Sequence, residues 1–264
     1  MLTTFAADRQ GYLVAVGFVH NVVELIFFKH KKFKKNENKE PSDYVRILRV
    51  ESEIRCLLCS MTLYGESLSE LVVGSGTIFN EIVVWDPLGS GVASQIVRGN
   101  YGVLFCVVFS RDGLWLCTTS DDRSVRMWRR ERSKEVQGQE GGEKEEGEKE
   151  EGARRSKEGM LVCPYKPQWV AYGHTARVWR CIFLPSLGDG AVASVAEDGT
   201  CRLWEGNDGT ELAVLRGHVL KSVWSVSLDI EGRVLVTGGG DSTIKLWDLQ
   251  RRTGRRLLVR EVRE

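Results

Sequence analysis

The chain has 264 residues, 42% of them hydrophobic, which is enough for a sizeable core, and a formal charge of +1 that excludes both a polyanion and a uniformly basic nucleic-acid binder. Seven cysteines, an odd number at irregular spacing, do not make a disulfide framework and fit a reducing compartment. Five prolines against 28 glycines point to many tight turns rather than to a proline-rich disordered chain.

In chain order, the first segment of note is the apolar run 11–28, GYLVAVGFVHNVVELIFF, followed by KHKKFKK. It imitates a membrane anchor with a positive flank. His20, Asn21 and Glu24 interrupt it, at a high cost inside a bilayer, and its Val and Phe content favours strands. It is read as strand, with no membrane contact. Residues 29–43 form a basic loop insertion carrying Lys29, Lys31, Lys32, Lys34, Lys35 and Lys39. Cys56 and Cys59 stand three apart in a strand-like run, so they point to opposite faces, and no second ligand pair accompanies them for zinc. Gly74-Ser75-Gly76 lacks the third glycine and the following helix of a dinucleotide loop.

From here on one pattern recurs. Trp85 (NEIVVWD), Trp128 (DRSVRMWR), Trp204 (DGTCRLWE) and Trp247 (DSTIKLWD) close similar stretches, 43 residues apart from Trp85 to Trp128 and again from Trp204 to Trp247. The interval from Trp128 to Trp204 is 76 residues and contains 131–159, which has ten acidic and seven basic side chains and almost nothing apolar. Such a segment cannot offset its ordering entropy by burial and is expected to be a disordered charged insertion before the outermost strand of its unit. A degenerate unit ends at Phe27, 58 residues before Trp85, and the basic loop accounts for the surplus. Self-similarity at about 40–45 residues ending in a Trp-Asp-like pair is the signature of a propeller blade. The expected fold class is therefore all-β: a WD-repeat β-propeller of about five blades spanning 1–264, as a closed ring or an incomplete propeller.

Finer spacing agrees. A hydroxyl residue stands four positions before an Asp, and that Asp six before the Trp, in Thr118/Asp122/Trp128, Ser194/Asp198/Trp204 and Thr237/Asp241/Trp247. Gly173-His174 and Gly217-His218 lie about 30 residues upstream of the last two tryptophans; Asn100 takes the place of the His in the third unit. In WD-repeat families, which this pattern resembles, the four side chains form a buried chain from His to hydroxyl and Asp, and from hydroxyl to indole N–H. A buried Trp needs one acceptor, and a tight turn favours Asp followed by Gly, Ser or Arg. These residues are expected to be structural, not a catalytic His-Ser-Asp set. Arg126 and Arg202 alternate with apolar residues, which predicts strands with one wet face. Ser110–Gly113 and Asp229–Gly232 are expected to turn the first strand of a blade into its second. No amphipathic helix, phosphate loop, nucleophile elbow or metal-spaced histidine set is found, so no catalytic, cofactor or metal residue is assigned. The chain ends in a second basic block: Arg251, Arg252, Arg255, Arg256, Arg260 and Arg263.

The wording of particular blades narrows the family. VGSGTIFNEIVVW (73–85), SDDRSVRMW (120–128), YGHTARVWR (172–180) and the degenerate HNVV (20–23), in that order, resemble the WD-repeat subunits of animals and fungi that partner an FtsJ-like tRNA ribose methyltransferase. That resemblance implies a non-catalytic cytoplasmic adaptor that binds the methyltransferase and tRNA and directs 2′-O-methylation to wobble position 34. The methyl donor would bind the partner, leaving this chain with no cofactor and no small-molecule substrate. Family members are much longer, so a partial chain or truncated gene model is expected, with apolar faces exposed on its terminal blades if it forms an arc. Candidate RNA or partner contacts are Lys31, Lys32, Lys34, Lys35, Arg177, Arg251, Arg252, Arg255 and Arg256, since clustered cations can track phosphate. The sequence alone leaves open a generic protein–protein scaffold, as in ubiquitin ligation, ribosome biogenesis or signalling.

Overall fold

The computed structural model describes residues 2–7, 13–18, 22–28, 45–51, 58–64, 72–85, 93–131, 165–219, 221–251 and 257–261. They form five four-stranded antiparallel sheets, each made from four consecutive strands. The first blade holds β1 (Leu2–Ala7), β2 (Leu13–Phe18), β3 (Val22–Phe28) and β4 (Val45–Glu51). The second holds β5 (Leu58–Tyr64), β6 (Val72–Thr77), β7 (Ile82–Trp85) and β8 (Ala93–Val97). The third holds β9 (Leu104–Phe109), β10 (Trp115–Ser120), β11 (Ser124–Arg130) and β12 (Tyr165–Tyr172). The fourth holds β13 (Val178–Phe183), β14 (Val192–Ala196), β15 (Thr200–Trp204) and β16 (Glu211–Arg216). The fifth holds β17 (Val223–Leu228), β18 (Val234–Gly239), β19 (Ile244–Arg251) and β20 (Leu257–Glu261). Among the described residues, one turn of 3₁₀ helix, Pro185–Leu187, interrupts the strands.

The apolar run 11–28 supplies β2 and β3, a hairpin pairing Leu13 with Phe27 and Gly17 with Val23. No helix among the described residues is long and apolar enough to cross a membrane. The expected first hairpin turns are present: Gly113 N–H donates to Ser110 C=O and Gly232 N–H to Asp229 C=O, with both glycines at positive φ. The turn between second and third strands reuses one backbone position in four blades: Asn80 (φ 65°), Arg123 (φ 67°), Gly199 (φ 79°) and Ser242 (φ 64°). In the last three of these an Asp precedes the left-handed residue, its carboxylate capping the turn.

First strands of successive blades lie side by side in the order β1, β5, β9, β13, β17, and the core sits in the layers between blades. Trp128 packs with Ile82 and Val84 of the second blade, Trp204 with Val125 and Met127 of the third, and Trp247 with Cys201 and Leu203 of the fourth. The third, fourth and fifth blades thus offer an indole to the blade before, and the second, third and fourth offer the residues three and one before their Trp to the blade after. On the fifth blade those residues are Ile244 and Leu246, exposed to 71% and 41%, whereas Cys201 and Leu203 are exposed to 1% and 0%. The layering also corrects the expectation of one wet face per strand. Both faces of a middle blade are covered, and Arg126 is buried at 6% exposure. It survives there by pairing with Asp122 at 3.1 Å, donating to Ser124 Oγ, and lying over the Tyr101 ring; Arg202 pairs with Glu211.

Candidate functional site

In the fourth and fifth blades the recurring motif residues meet in one wired cluster each. In the fourth blade Trp204 Nε1–H donates to Ser194 Oγ at 2.8 Å, His174 Nε2 lies 2.8 Å from the same Oγ, and His174 Nδ1 lies 3.0 Å from Asp198 Oδ2. A carboxylate only accepts, so the imidazole donates from Nδ1, and Nε2 is left to accept the Ser194 hydroxyl proton. Every donor then runs in one direction, from indole through hydroxyl and imidazole to carboxylate. Asp198 closes the chain by accepting from the Thr200 hydroxyl and backbone N–H and from Thr175 N–H. The fifth blade repeats the arrangement: Trp247 Nε1–H to Thr237 Oγ1 at 2.9 Å, His218 Nε2 to Thr237 Oγ1 at 2.8 Å, and Nδ1 to Asp241 at 3.0 Å.

Electrostatics follow from that wiring. Burial pushes the Asp198 carboxyl up, but the hydrogen bonds from His174 and Thr200 outweigh it and hold the group well below the usual carboxylate range. Hydrogen bonds from His218 and Thr243 hold Asp241 low in the same way. A Ser, a His and an Asp are therefore in contact, yet Ser194 Oγ is fully buried and already takes the indole proton. No substrate carbonyl can reach it, so the set braces the blade. The thiols of Cys106, Cys181 and Cys201 are held above their ordinary range, Cys106 by its contact with Cys181 and by burial, Cys201 by burial alone. Thiols in that state are poor nucleophiles. Among the described residues no group of three His, Cys, Asp or Glu is placed to hold a metal ion.

Sequence reading overlooked two parts of the wiring. One is the hydroxyl two residues after each Asp: Ser124, Thr200 and Thr243 all donate to it. The other is the glycine of each Gly-His. A Cβ on Gly173 would stand 3.0 Å from the Trp204 ring, on Gly217 2.9 Å from Trp247, and on Gly99 3.0 Å from Trp128. The indole packs on bare backbone there, and the recurrence of Gly before His or Asn was the available signal.

Of the candidate contact residues, Arg177 is half-exposed and its Nε lies 2.7 Å from Asp121 and 4.0 Å from Glu197, so two carboxylates already share its charge. Lys31, Lys32, Lys34, Lys35, Arg252, Arg255 and Arg256 lie outside the described residues. Arg251 closes β19 and Trp85 closes β7, with side chains outside the description. The insertions 29–43 and 132–159 likewise fall outside it. Their flanks are described: the first connects β3 to β4, the second β11 to β12, and 252–256 connects β19 to β20. All three join the third and fourth strands of a blade.

The model of the WD domain, G-beta repeat, matches residues 91–129, 165–205 and 209–248. The chain is similar to the tRNA (34-2'-O)-methyltransferase regulators of Bos taurus (29% identical) and Rattus norvegicus (30% identical), in each case over 201 residues, 74% of this chain and 15% of the relative. It is also similar to eukaryotic translation initiation factor 3 subunit I of Debaryomyces hansenii, 37% identical over 59 residues, covering 22% of this chain and 17% of that protein. The chain thus spans about 15% of the length of the methyltransferase regulators it matches.

Proposed function

We propose that this chain, which is built from WD repeats, is a non-catalytic cytoplasmic adaptor that binds an FtsJ-like methyltransferase and tRNA and directs 2′-O-methylation of wobble position 34. One observation carries the reading: similarity to proteins named as regulators of that modification continues over 201 residues. The match to the initiation-factor subunit, by contrast, covers 59 residues, little more than one blade. A match of 201 residues spans several blades, more than one copy of the common motif accounts for.

The division of labour follows from the chemistry. The motif His, hydroxyl and Asp side chains of the fourth and fifth blades bond one another, and this reading gives the methyl donor and the groups that activate the ribose hydroxyl to the partner. This chain contributes a stiff scaffold and loops. Residues 29–43 and 131–159 are insertions on that scaffold. Lys31, Lys32, Lys34 and Lys35, with Arg252, Arg255 and Arg256, belong to connections between third and fourth strands, and Arg251 ends the strand before the second of them. Since corresponding strands run the same way in each blade, both basic blocks leave from the same end of the sheets and can track one phosphate backbone.

The test is genetic. Removal of the gene is expected to abolish the 2′-O-methyl group at tRNA position 34, read by ribose-methylation mapping. Unchanged modification there, or a pull-down returning a ubiquitin ligase or ribosome-assembly complex without a methyltransferase, contradicts the reading.

A further inference from the structure

At the end of the third blade away from the inserted loops stand two tyrosines that the blade plan does not require. Tyr101, in the connection from β8 to β9, is 80% exposed, and Tyr172, at the end of β12, is 64% exposed. The fourth blade does without either ring. Thr175 stands there in the place of Tyr101, its N–H on Asp198 as Tyr101 N–H is on Asp122. Arg216 stands in the place of Tyr172, paired opposite Thr200 as Tyr172 is opposite Ser124. The third blade has a neighbour on each side, β5 beside β9 and β9 beside β13, so the openness of these rings belongs to the site itself.

One buried side chain holds both rings. The Arg126 guanidinium lies 5.3 Å from the Tyr101 ring centroid, and its Nη2–H donates to the Tyr172 hydroxyl over a long 3.4 Å. Val170, on the strand of Tyr172 and paired opposite Arg126, adds a part-exposed apolar side chain. The shared anchor keeps the Tyr101 ring and the Tyr172 hydroxyl within about 10 Å of each other, close to the rise of one polyproline II turn, roughly 9 Å. The chemistry of the site narrows its occupant. Asp122 answers the charge of Arg126 inside the blade, so the pair presents no net charge to a phosphate. The guanidinium already makes the cation–π contact of Tyr101, which leaves that ring a poor host for an ammonium group. What remains is two stiff aromatic faces and one donor, since the Tyr172 oxygen accepts from Arg126 and its own proton is free to donate.

We propose that Tyr101 and Tyr172, with Val170, form a docking site for a proline-rich segment of a protein partner in the polyproline II conformation. Such a segment brings apolar rings and backbone carbonyls that have no internal hydrogen bonds, and it is already extended, so docking orders little chain. Prolines one turn apart lie against the two tyrosine rings, and a carbonyl between them accepts from the Tyr172 hydroxyl. The site is separate from the lysine and arginine blocks and does not depend on the tRNA-adaptor reading.

The experiment uses the full chain and a fluorescein-labelled decaproline peptide, with a glycine-serine peptide of equal length and a single-stranded RNA as comparison probes, followed by anisotropy at low and high salt. The wild-type chain is expected to bind decaproline saturably, about tenfold or more tighter than the glycine-serine peptide, with little change on adding salt. Tyr101→Ala and Tyr172→Ala are each expected to weaken that binding about five- to thirtyfold. Tyr172→Phe, which keeps the ring and loses the donor, is expected to weaken it about two- to tenfold. Thermal melting of each variant checks that the blades remain folded. No saturable binding of decaproline, or equal binding by wild type and the three variants, overturns the site. RNA binding that falls steeply with salt and is lost in Tyr101→Ala also overturns it, since the rings then serve as a base-stacking platform. Each of these outcomes leaves the wobble-methylation reading to its own genetic test.

Discussion

The third and fourth blades have the same strands, the same turn and the same indole, yet only the fourth is wired through. His174 joins two half-networks, Trp204 with Ser194 on one side and Asp198 with its turn on the other. Asn100 in the third blade is too short to do so. Its Oδ1 takes a long 3.4 Å bond from Thr118, Trp128 Nε1 reaches Thr118 at 3.2 Å, and Asn100 Nδ2 is buried with no partner. Asp122 keeps the bonds from Ser124 and Tyr101 N–H that Asp198 has from Thr200 and Thr175 N–H, and takes Arg126 in place of the imidazole. The motif is therefore two separable modules: an indole that needs a hydroxyl, and a carboxylate that caps a left-handed turn. The imidazole couples them, and a buried arginine can take over the carboxylate when it is absent.

The largest expected effect removes the indole itself. Trp204→Ala should cost about 3–5 kcal/mol in denaturant unfolding, and it also leaves a gap against Val125 and Met127. Trp128→Ala should cost the same or slightly less, its N–H being more weakly held. Next comes the coupling residue. His174→Asn should destabilise by about 1–3 kcal/mol by orphaning Ser194 and Asp198. Its reciprocal, Asn100→His, should gain about 0.5–1.5 kcal/mol; equal and opposite shifts of the melting point would show that the imidazole carries the difference. Gly173→Ala should cost about 1–3 kcal/mol, because a methyl group there meets the Trp204 ring.

Acid sharpens the comparison. The Asp198 and Asp241 carboxyls are held below their ordinary value of 3.8, so their contribution is complete above that value and is lost as pH falls through the lower folded-state value. Melting followed from pH 5 downwards should show a steep loss below about pH 4, which Asp198→Asn flattens at the expense of stability at neutral pH. The smallest effect concerns the turn. Ser242→Gly should stabilise by up to about 1 kcal/mol, since Ser242 holds a left-handed φ of 64° that Gly199 adopts without strain.

What the sequence made legible was whatever repeats at one blade length. The Trp, Asp, hydroxyl and His positions recur at fixed offsets, and the blade order and first hairpin turns follow from them. Three things did not follow. Arg126 and Arg202 look like residues on a wet face because alternation describes one sheet, whereas the second covering layer is the next blade, far off in sequence. Phe105, Trp179 and Trp224 lie in a row, ring centroids 4.7 Å and 4.9 Å apart, which depends on a one-residue bulge in each first strand and on contacts between separate blades. The carboxylates that share Arg177 come from the turns at Asp121 and Glu197, and no local pattern places them beside it.

The central claim is that these blades serve a methyltransferase without performing its chemistry. The most direct measurement is reconstitution: purified FtsJ-like enzyme, methyl donor and unmodified tRNA, with and without this chain, read by ribose-methylation mapping at position 34. The account predicts methylation there only when the chain is present, and none from the chain alone. Position-34 methylation by the enzyme at the same rate without the chain, or by the chain without the enzyme, would contradict it.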